Sequence, residues 1–146
     1  HPDNVSALSK AAAAAGVTIG ILVDVDPGSK RTGVASDDAA VALVQQVSES
    51  AGLRYRGLQC YAGFIQHIEN LIERREKNAQ VTSRMQRLVE RLRVMALAPE
   101  IVSGGGTGTF RRGFRGLSCA NGSSGCAATK CHDARWQSRP QHPDIG

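Results

Sequence analysis

Helical and extended periods alternate three times along the first 110 residues, and nothing else in the chain limits its fold as strongly. Residues 1–16 carry Val5, Leu8 and Ala12 at helical spacing around an alanine run, with Pro2 in an early turn, Asp3 or Asn4 as cap and Gly16 as stop. Residues 17–26 then set Val17, Ile19, Ile21, Val23 and Val25 on one face and Thr18, Gly20, Leu22 and Asp24 on the other. This is the period of a strand, and it ends in the turn signal Asp26-Pro27-Gly28. Ser36-Asp37-Asp38 opens a second helix that turns Ala40, Leu43, Val44 and Val47 inward and closes at Gly52. The second strand, residues 53–61, puts Leu53, Tyr55, Gly57, Gln59 and Tyr61 on one face and Leu58 and Cys60 on the other. A helical pattern through Ile68, Ile72, Met85, Leu88, Leu92 and Met95 occupies residues 66–97, as one helix or two. Pro99 precedes a short strand at residues 100–103.

Alternation with such short connections predicts an α/β fold in which parallel strands are joined by right-handed crossovers. A complete eightfold barrel takes ~250 residues. The expectation is therefore a partial β/α (TIM-like) barrel of about three βα units. The β-branched face of the first strand should pack on helices, and its mixed face should look into a barrel interior or a site.

A net charge of +5 suggests a nucleic-acid partner only until the charge is located. Residues 1–110 hold 12 Lys/Arg against 11 Asp/Glu, and residues 111–146 hold 6 against 2, so the last segment supplies +4 of it. Arg, Gly, Ser, Ala and Cys make up 21 of those last 36 residues, and neither period survives there. Residues 1–110 are read as the barrel domain. Residues 111–146 are read as a low-complexity, disordered basic tail of the kind a frameshift produces. Cys119, Cys126 and Cys131 lie in that tail without the close C-x2–4-C pair of a structural zinc site, which disfavours zinc. No run approaches the ~20 apolar residues that span a bilayer, and the first residues lack signal-peptide blocks, so a cytoplasmic protein is expected. His1 in place of Met leaves the chain readable as an internal fragment of a longer protein.

Three stretches carry chemistry. Gly104-Gly105-Gly106-Thr107-Gly108-Thr109 follows a strand, where successive backbone N–H groups and hydroxyls suit a phosphate. It matches neither the dinucleotide nor the nucleoside-triphosphate fingerprint, and a plain flexible turn stays open. The loop DVDPGSKRTG places Lys30 and Arg31 at the C-terminal end of a strand, where α/β folds keep their sites, although both suit solvated loop charges as well. Gln59, Tyr61, Gln66 and His67 gather at the end of the next strand, where a phenol and an imidazole can bind a cofactor and move a proton. A surface histidine is the alternative for His67.

Together HPDNVSAL, VDVDPGSKRTGV, GLRYRGLQCYAGFIQHI and IVSGGGTGTF resemble the D-threonine aldolase and D-serine dehydratase family, pyridoxal phosphate enzymes on an alanine-racemase-like, fold type III barrel. The resemblance covers residues 1–110. It implies that Arg31 contacts the phenolic oxygen of the cofactor ring, that Tyr61 stands at the cofactor, and that Gly105, Gly106 and Thr107 belong to its phosphate cradle. It implies that His67 is the base that takes the substrate hydroxyl proton. Ala62 departs from the histidine expected after the tyrosine.

The family's Schiff-base lysine lies upstream of anything that resembles His1, and none of Lys10, Lys30, Lys77 and Lys130 stands in its motif. Its divalent-metal pair, a histidine and an aspartate two residues apart, lies in a C-terminal domain. His142 and Asp144 copy that spacing by coincidence, so a metal such as Mn is expected only in the full-length protein. The expected function is retro-aldol cleavage of a β-hydroxy D-amino acid to glycine and an aldehyde, with this chain inactive by itself. The alternatives are a D-serine dehydratase or alanine racemase-type enzyme, a noncatalytic pyridoxal phosphate-binding barrel, or a pseudogene fragment. The expected partners are a small D-amino acid and, for the full-length protein, a second copy of itself, with no specific nucleic acid and no membrane.

Overall fold

Alternation of period becomes alternation of structure in a computed structural model that describes residues 1–105. The order is α1 (Pro2–Ala14), β1 (Ile19–Asp24), α2 (Asp37–Glu49), β2 (Leu53–Cys60), a 3-10 helix (Gly63–His67), α3 (Leu71–Val94) and β3 (Ile101–Gly104). The three strands form one parallel sheet in the order β1-β2-β3. This is the expected α/β architecture of consecutive βα units, a sector of a β/α barrel.

Local chemistry explains the boundaries. His1 caps α1 in place of Asp3 or Asn4, its ring nitrogen accepting from the Asp3 N–H. Gly16 turns left-handed at φ +64°, and Val17 donates back to the Ala12 carbonyl, so Val17 belongs to the helix exit and β1 begins two residues later than its β-branched pattern suggests. Ser36 caps α2 by accepting from the Ala39 N–H. The pattern over residues 66–97 is one helix preceded by the 3-10 turn, because the Asn70 side chain accepts from the Ile72 and Glu73 N–H groups and starts α3 afresh.

The core lies between the sheet and the helices. Val23, Leu58 and Val102 form one row of register partners across the strands, each fully buried or nearly so, and they meet Val44 and Val47 of α2 and Met85, Leu88 and Leu92 of α3. Full burial of each of these side chains contributes roughly 1.5–3 kcal/mol. Ile72, assigned to the same apolar stripe by its spacing, is exposed because α3 buries its face only from Met85 onward, and Met95 is exposed as the C-cap residue just past the helix.

One strand departs from strict alternation. The register of β1 against β2 slips between Ile21, opposite Tyr55, and Leu22, opposite Gly57, leaving Arg56 as an extra residue. Before the bulge Leu53 and Tyr55 face the core, and after it Leu58 and Cys60 do. Leu53 and Tyr55 therefore do not share a face with Gln59, as two-residue alternation had placed them. Gly57 makes the bulge possible, with φ at +153° and a virtual Cβ only 1.8 Å from the Ile101 carbonyl oxygen.

Candidate functional site

The polar loops gather at the C-terminal ends of the three strands. Register partners Asp24, Gln59 and Ser103 sit one position beyond the buried row Val23, Leu58 and Val102, so the three polar residues face away from the helices, into the sector's concave side. Directly above them lie the 25–36 loop, the 61–70 loop and Gly105, which follows β3 with φ at +88°.

The 25–36 loop is tightly built. Its neck is closed by a bridge between Val25 and Val34, with Val34 N–H donating to the Asp24 carbonyl at 2.9 Å and Asp26 N–H to the Val34 carbonyl at 3.0 Å. Gly33 fits there at φ +90°, where a Cβ would stand 2.7 Å from the Asp26 nitrogen. Asp26 is the one buried charged residue among the described residues. Its carboxylate accepts from the N–H groups of Gly28 (2.9 Å), Ser29 (2.7 Å) and Lys30 (3.0 Å) and from the Ser29 hydroxyl (3.0 Å). Burial pushes this carboxyl upward, but the donors from Gly28, Ser29 and Lys30 together outweigh it and hold the acid below its ordinary value. The curl puts Lys30 at φ +53° and delivers Arg31 to the rim.

There Arg31 meets Tyr61. The guanidinium carbon stands 5.9 Å from the centroid of the Tyr61 ring, a cation–π contact between two loops thirty residues apart in sequence. The ring lies over Gly63, whose virtual Cβ would stand 2.6–2.9 Å from Cε1, Cζ and Oη. Ala62, where the family pattern suggests histidine, is buried and accepts the first hydrogen bond of the 3-10 turn, from the Ile65 N–H. His67 ends that turn on the same rim with an exposed side chain, and its imidazole has no hydrogen-bonding partner among the described residues. Gly106 and Thr107, together with Cys119, Cys126, Cys131, His142 and Asp144, lie outside the described residues.

The structure thus brings Arg31 and Tyr61 into contact and places His67 and Gly105 on the same rim. It also shows two groups that spacing does not single out. Asp26 reads in sequence as part of a turn, while its carboxylate is the hub of the loop. Arg84, in the middle of α3, donates to the Asp26 carbonyl (2.7 Å), the Ala35 carbonyl (3.0 Å) and the Asp37 carboxylate (2.7 Å). An Asx-turn pattern could have found the first. No local signal marks the second. Cys60 lies on the helix side of β2, where burial pushes its thiol up to about 12, away from nucleophilic use. Among the described residues no helix is long and apolar enough to cross a membrane.

Comparison with known proteins identifies the family. Residues 1–121 match the family described as alanine racemase, N-terminal domain. The 3-hydroxy-D-aspartate aldolase of Paracoccus denitrificans (strain Pd 1222) is 36% identical over 108 residues, which is 74% of this chain and 28% of that protein. The D-threonine aldolase of an Arthrobacter species is 38% identical over 109 residues, 75% of this chain and 29% of that protein. The crystal structure of D-threonine aldolase from Filomicrobium marinum matches with a TM-score of 0.74 at 38% identity, over 76% of this chain and 30% of that chain. The chain spans less than a third of the length of these relatives. Consecutive parallel βα units with their polar loops at one rim, and identity to these proteins throughout that unit, place the chain in the alanine-racemase-like, fold type III family of pyridoxal phosphate enzymes.

Proposed function

We propose that residues 1–105 form one wall of the pyridoxal phosphate site of a lyase that cleaves β-hydroxy D-amino acids to glycine and an aldehyde. The observation that carries this reading is the Arg31–Tyr61 contact at the strand ends, where a cation and an aromatic ring stand together at 5.9 Å. The donor set fits the cofactor. A guanidinium that never deprotonates suits the phenolic oxygen of the ring, and Gly105, at φ +88°, leaves backbone uncovered for an anion. The names of the relatives, both aldolases of β-hydroxy D-amino acids, support the choice of substrate and of aldol cleavage over dehydration or racemisation.

With the cofactor bound, Arg31 would donate to its phenolic oxygen and favour the anionic form, and the Tyr61 ring limits where the guanidinium can stand. Gly105, with Gly106 and Thr107 of the same glycine run, would receive its phosphate. When bound, the cofactor supplies an electron-withdrawing pyridine ring beside the substrate α-carbon. His67 would take the proton of the substrate β-hydroxyl as the Cα–Cβ bond breaks; the hydroxyl oxygen becomes the carbonyl oxygen of the aldehyde, and the bonding pair stays on Cα, which takes up a proton to give glycine. The reading assigns binding of the cofactor, and not turnover, to these residues, since none of Lys10, Lys30, Lys77 and Lys130 stands in the lysine motif that the resemblance implies.

Calorimetric titration with pyridoxine 5′-phosphate, which has no aldehyde to react with surface lysines, tests the reading on the 146-residue chain. Saturable binding is expected, weakened at least tenfold in R31Q, about 1.4 kcal/mol. No saturable binding by the wild type, or equal binding by R31Q, refutes the assignment.

A further inference from the structure

The structure assigns Arg84 as a positioning residue: from α3 it ties both stems of the 26–35 loop to the start of α2, and so sets where Arg31 stands against the Tyr61 ring. Three nitrogens of one guanidinium each have their own acceptor. Nη1 donates to the Asp26 carbonyl at 2.7 Å, Nη2 to the Ala35 carbonyl at 3.0 Å, and Nε to the Asp37 carboxylate at 2.7 Å. Only the rigid planar fork of an arginine reaches three points at fixed angles, whereas a lysine offers one nitrogen.

The positions of those acceptors make the contact a clamp. Asp26 and Ala35 follow directly on Val25 and Val34, the bridged pair that closes the loop's neck. The bridge holds the neck from the sheet side and Arg84 holds it from the helix side. The Asp26 peptide whose carbonyl Arg84 grips also bears the carboxylate that gathers the N–H groups of Gly28, Ser29 and Lys30. Arg31 is the next residue after that cage. A displacement of the Asp26 peptide therefore carries through the carboxylate to the backbone that aims Arg31. The ion pair with Asp37 is partly exposed and open to screening, while two of the three bonds go to backbone carbonyls and survive salt.

The consequence for a bound cofactor rests on the proposed role of Arg31, and the mechanical claim does not. The test uses the full 146-residue chain with R84Q, R84K and D37N, read by NMR. In R84Q the Ser29 and Lys30 amides are expected to exchange at least tenfold faster, and the Arg31 Nε–H resonance to move to its random-coil position as the ring contact is lost. The Val23, Leu58 and Leu92 amides keep wild-type rates. D37N leaves the loop amides near wild type, because both carbonyl bonds remain. R84K, which keeps the charge and at most one of the bonds, shows most of the R84Q loop effect, and it decides the matter if R84Q does not fold.

Loop amides and an Arg31 resonance unchanged in R84K and R84Q overturn the proposal. So does equal acceleration at Val23 and Leu58, which makes Arg84 a general stabiliser. Pyridoxine 5′-phosphate affinity separates the two claims. R84Q is expected to weaken it although Arg84 does not touch the ligand. A wild type that does not bind, with the exchange pattern as described, overturns the cofactor reading and leaves the positioning role standing.

Discussion

Alanine at position 57 puts the bulge of β2 to a quantitative test. A Cβ there stands 1.8 Å from the Ile101 carbonyl oxygen, 2.8 Å from its carbon and 2.9 Å from its nitrogen, all backbone atoms of the paired strand. Reaching even 3.0 Å requires β3 to retreat by about 1.2 Å, which stretches ladder hydrogen bonds of ~2.9 Å past ~4 Å, where they no longer count. Holding an L-residue at φ +153° costs about 1–3 kcal/mol by itself. Two ladder bonds at about 1 kcal/mol each bring the loss to about 4 kcal/mol, before any loosening of Val102. Gly16→Ala and Gly28→Ala are the controls, since both have positive φ with nothing within 4 Å of the virtual Cβ, and they should lose only about 1–2 kcal/mol. Urea unfolding followed by far-ultraviolet circular dichroism gives the three values on one scale. Domain stabilities of about 5–15 kcal/mol leave G57A close to the threshold, so a transition starting near zero urea fits as well. If G57A unfolds within about 1 kcal/mol of G16A, the close approach of β3 to position 57 is not what fixes the bulge.

Other perturbations separate site from scaffold. Gly63→Ala puts a Cβ within 2.6–2.9 Å of the Tyr61 ring, which is 40% exposed and free to swing out, so a change below about 1 kcal/mol in urea stability is expected together with clear loss of pyridoxine 5′-phosphate affinity. Asp26 has its acid strengthened in the fold, so its contribution is fully present above the unfolded-state value of about 4 and fades as pH falls below it. Amide exchange at Ser29 and Lys30 should accordingly speed up as the pH is lowered through that region, beyond the intrinsic dependence, and D26N should flatten the excess. Cys60, pushed up to about 12 by burial, should resist a disulfide reagent at pH 8 in a variant with its other three cysteines changed to serine, and react once urea unfolds the chain. Its thiol also makes stability fall as pH rises from about 9 to about 12, where only the unfolded chain ionises.

Legibility in the sequence followed the range of the interactions. Short-range periods give α2 and its inward set Ala40, Leu43, Val44 and Val47 correctly, because 3.6-residue spacing and a Ser36 cap are local matters. The face of β2 is misread because a bulge shows only against a partner strand, and position 57 reveals its need for glycine only once Ile101 is beside it. Arg31 and Tyr61 are legible as a pair through resemblance, since nothing within either loop says that twenty-nine intervening residues return to the same rim. Arg84 escapes on the same ground. Within α3 it is one arginine among several, and its three acceptors lie 47 to 58 residues away.

The concave side of the sheet is graded from end to end, and the grading explains where chemistry belongs. At the N-terminal ends of the strands Arg54 and Arg56 both pair with Glu100 at 2.7 Å, and the Arg54 hydrogen bond, aided by Arg56, holds that carboxyl below its ordinary value against the opposing effect of burial. A carboxylate already engaged by two guanidiniums has little basicity left for a substrate. The next layer, Leu22, Gly57 and Ile101, offers no titratable group. Only the third layer, Asp24, Gln59 and Ser103, returns polar groups, and it lies directly beneath Arg31, Tyr61 and Gly105. The chemistry-bearing loops therefore stand at the C-terminal ends of the strands, where β/α folds keep their sites, and the neutralised cluster stands at the opposite end. In this chain the division falls inside β2 itself, at the bulge, where the strand that begins by packing Leu53 and Tyr55 inward ends by presenting Gln59 and leading into Tyr61.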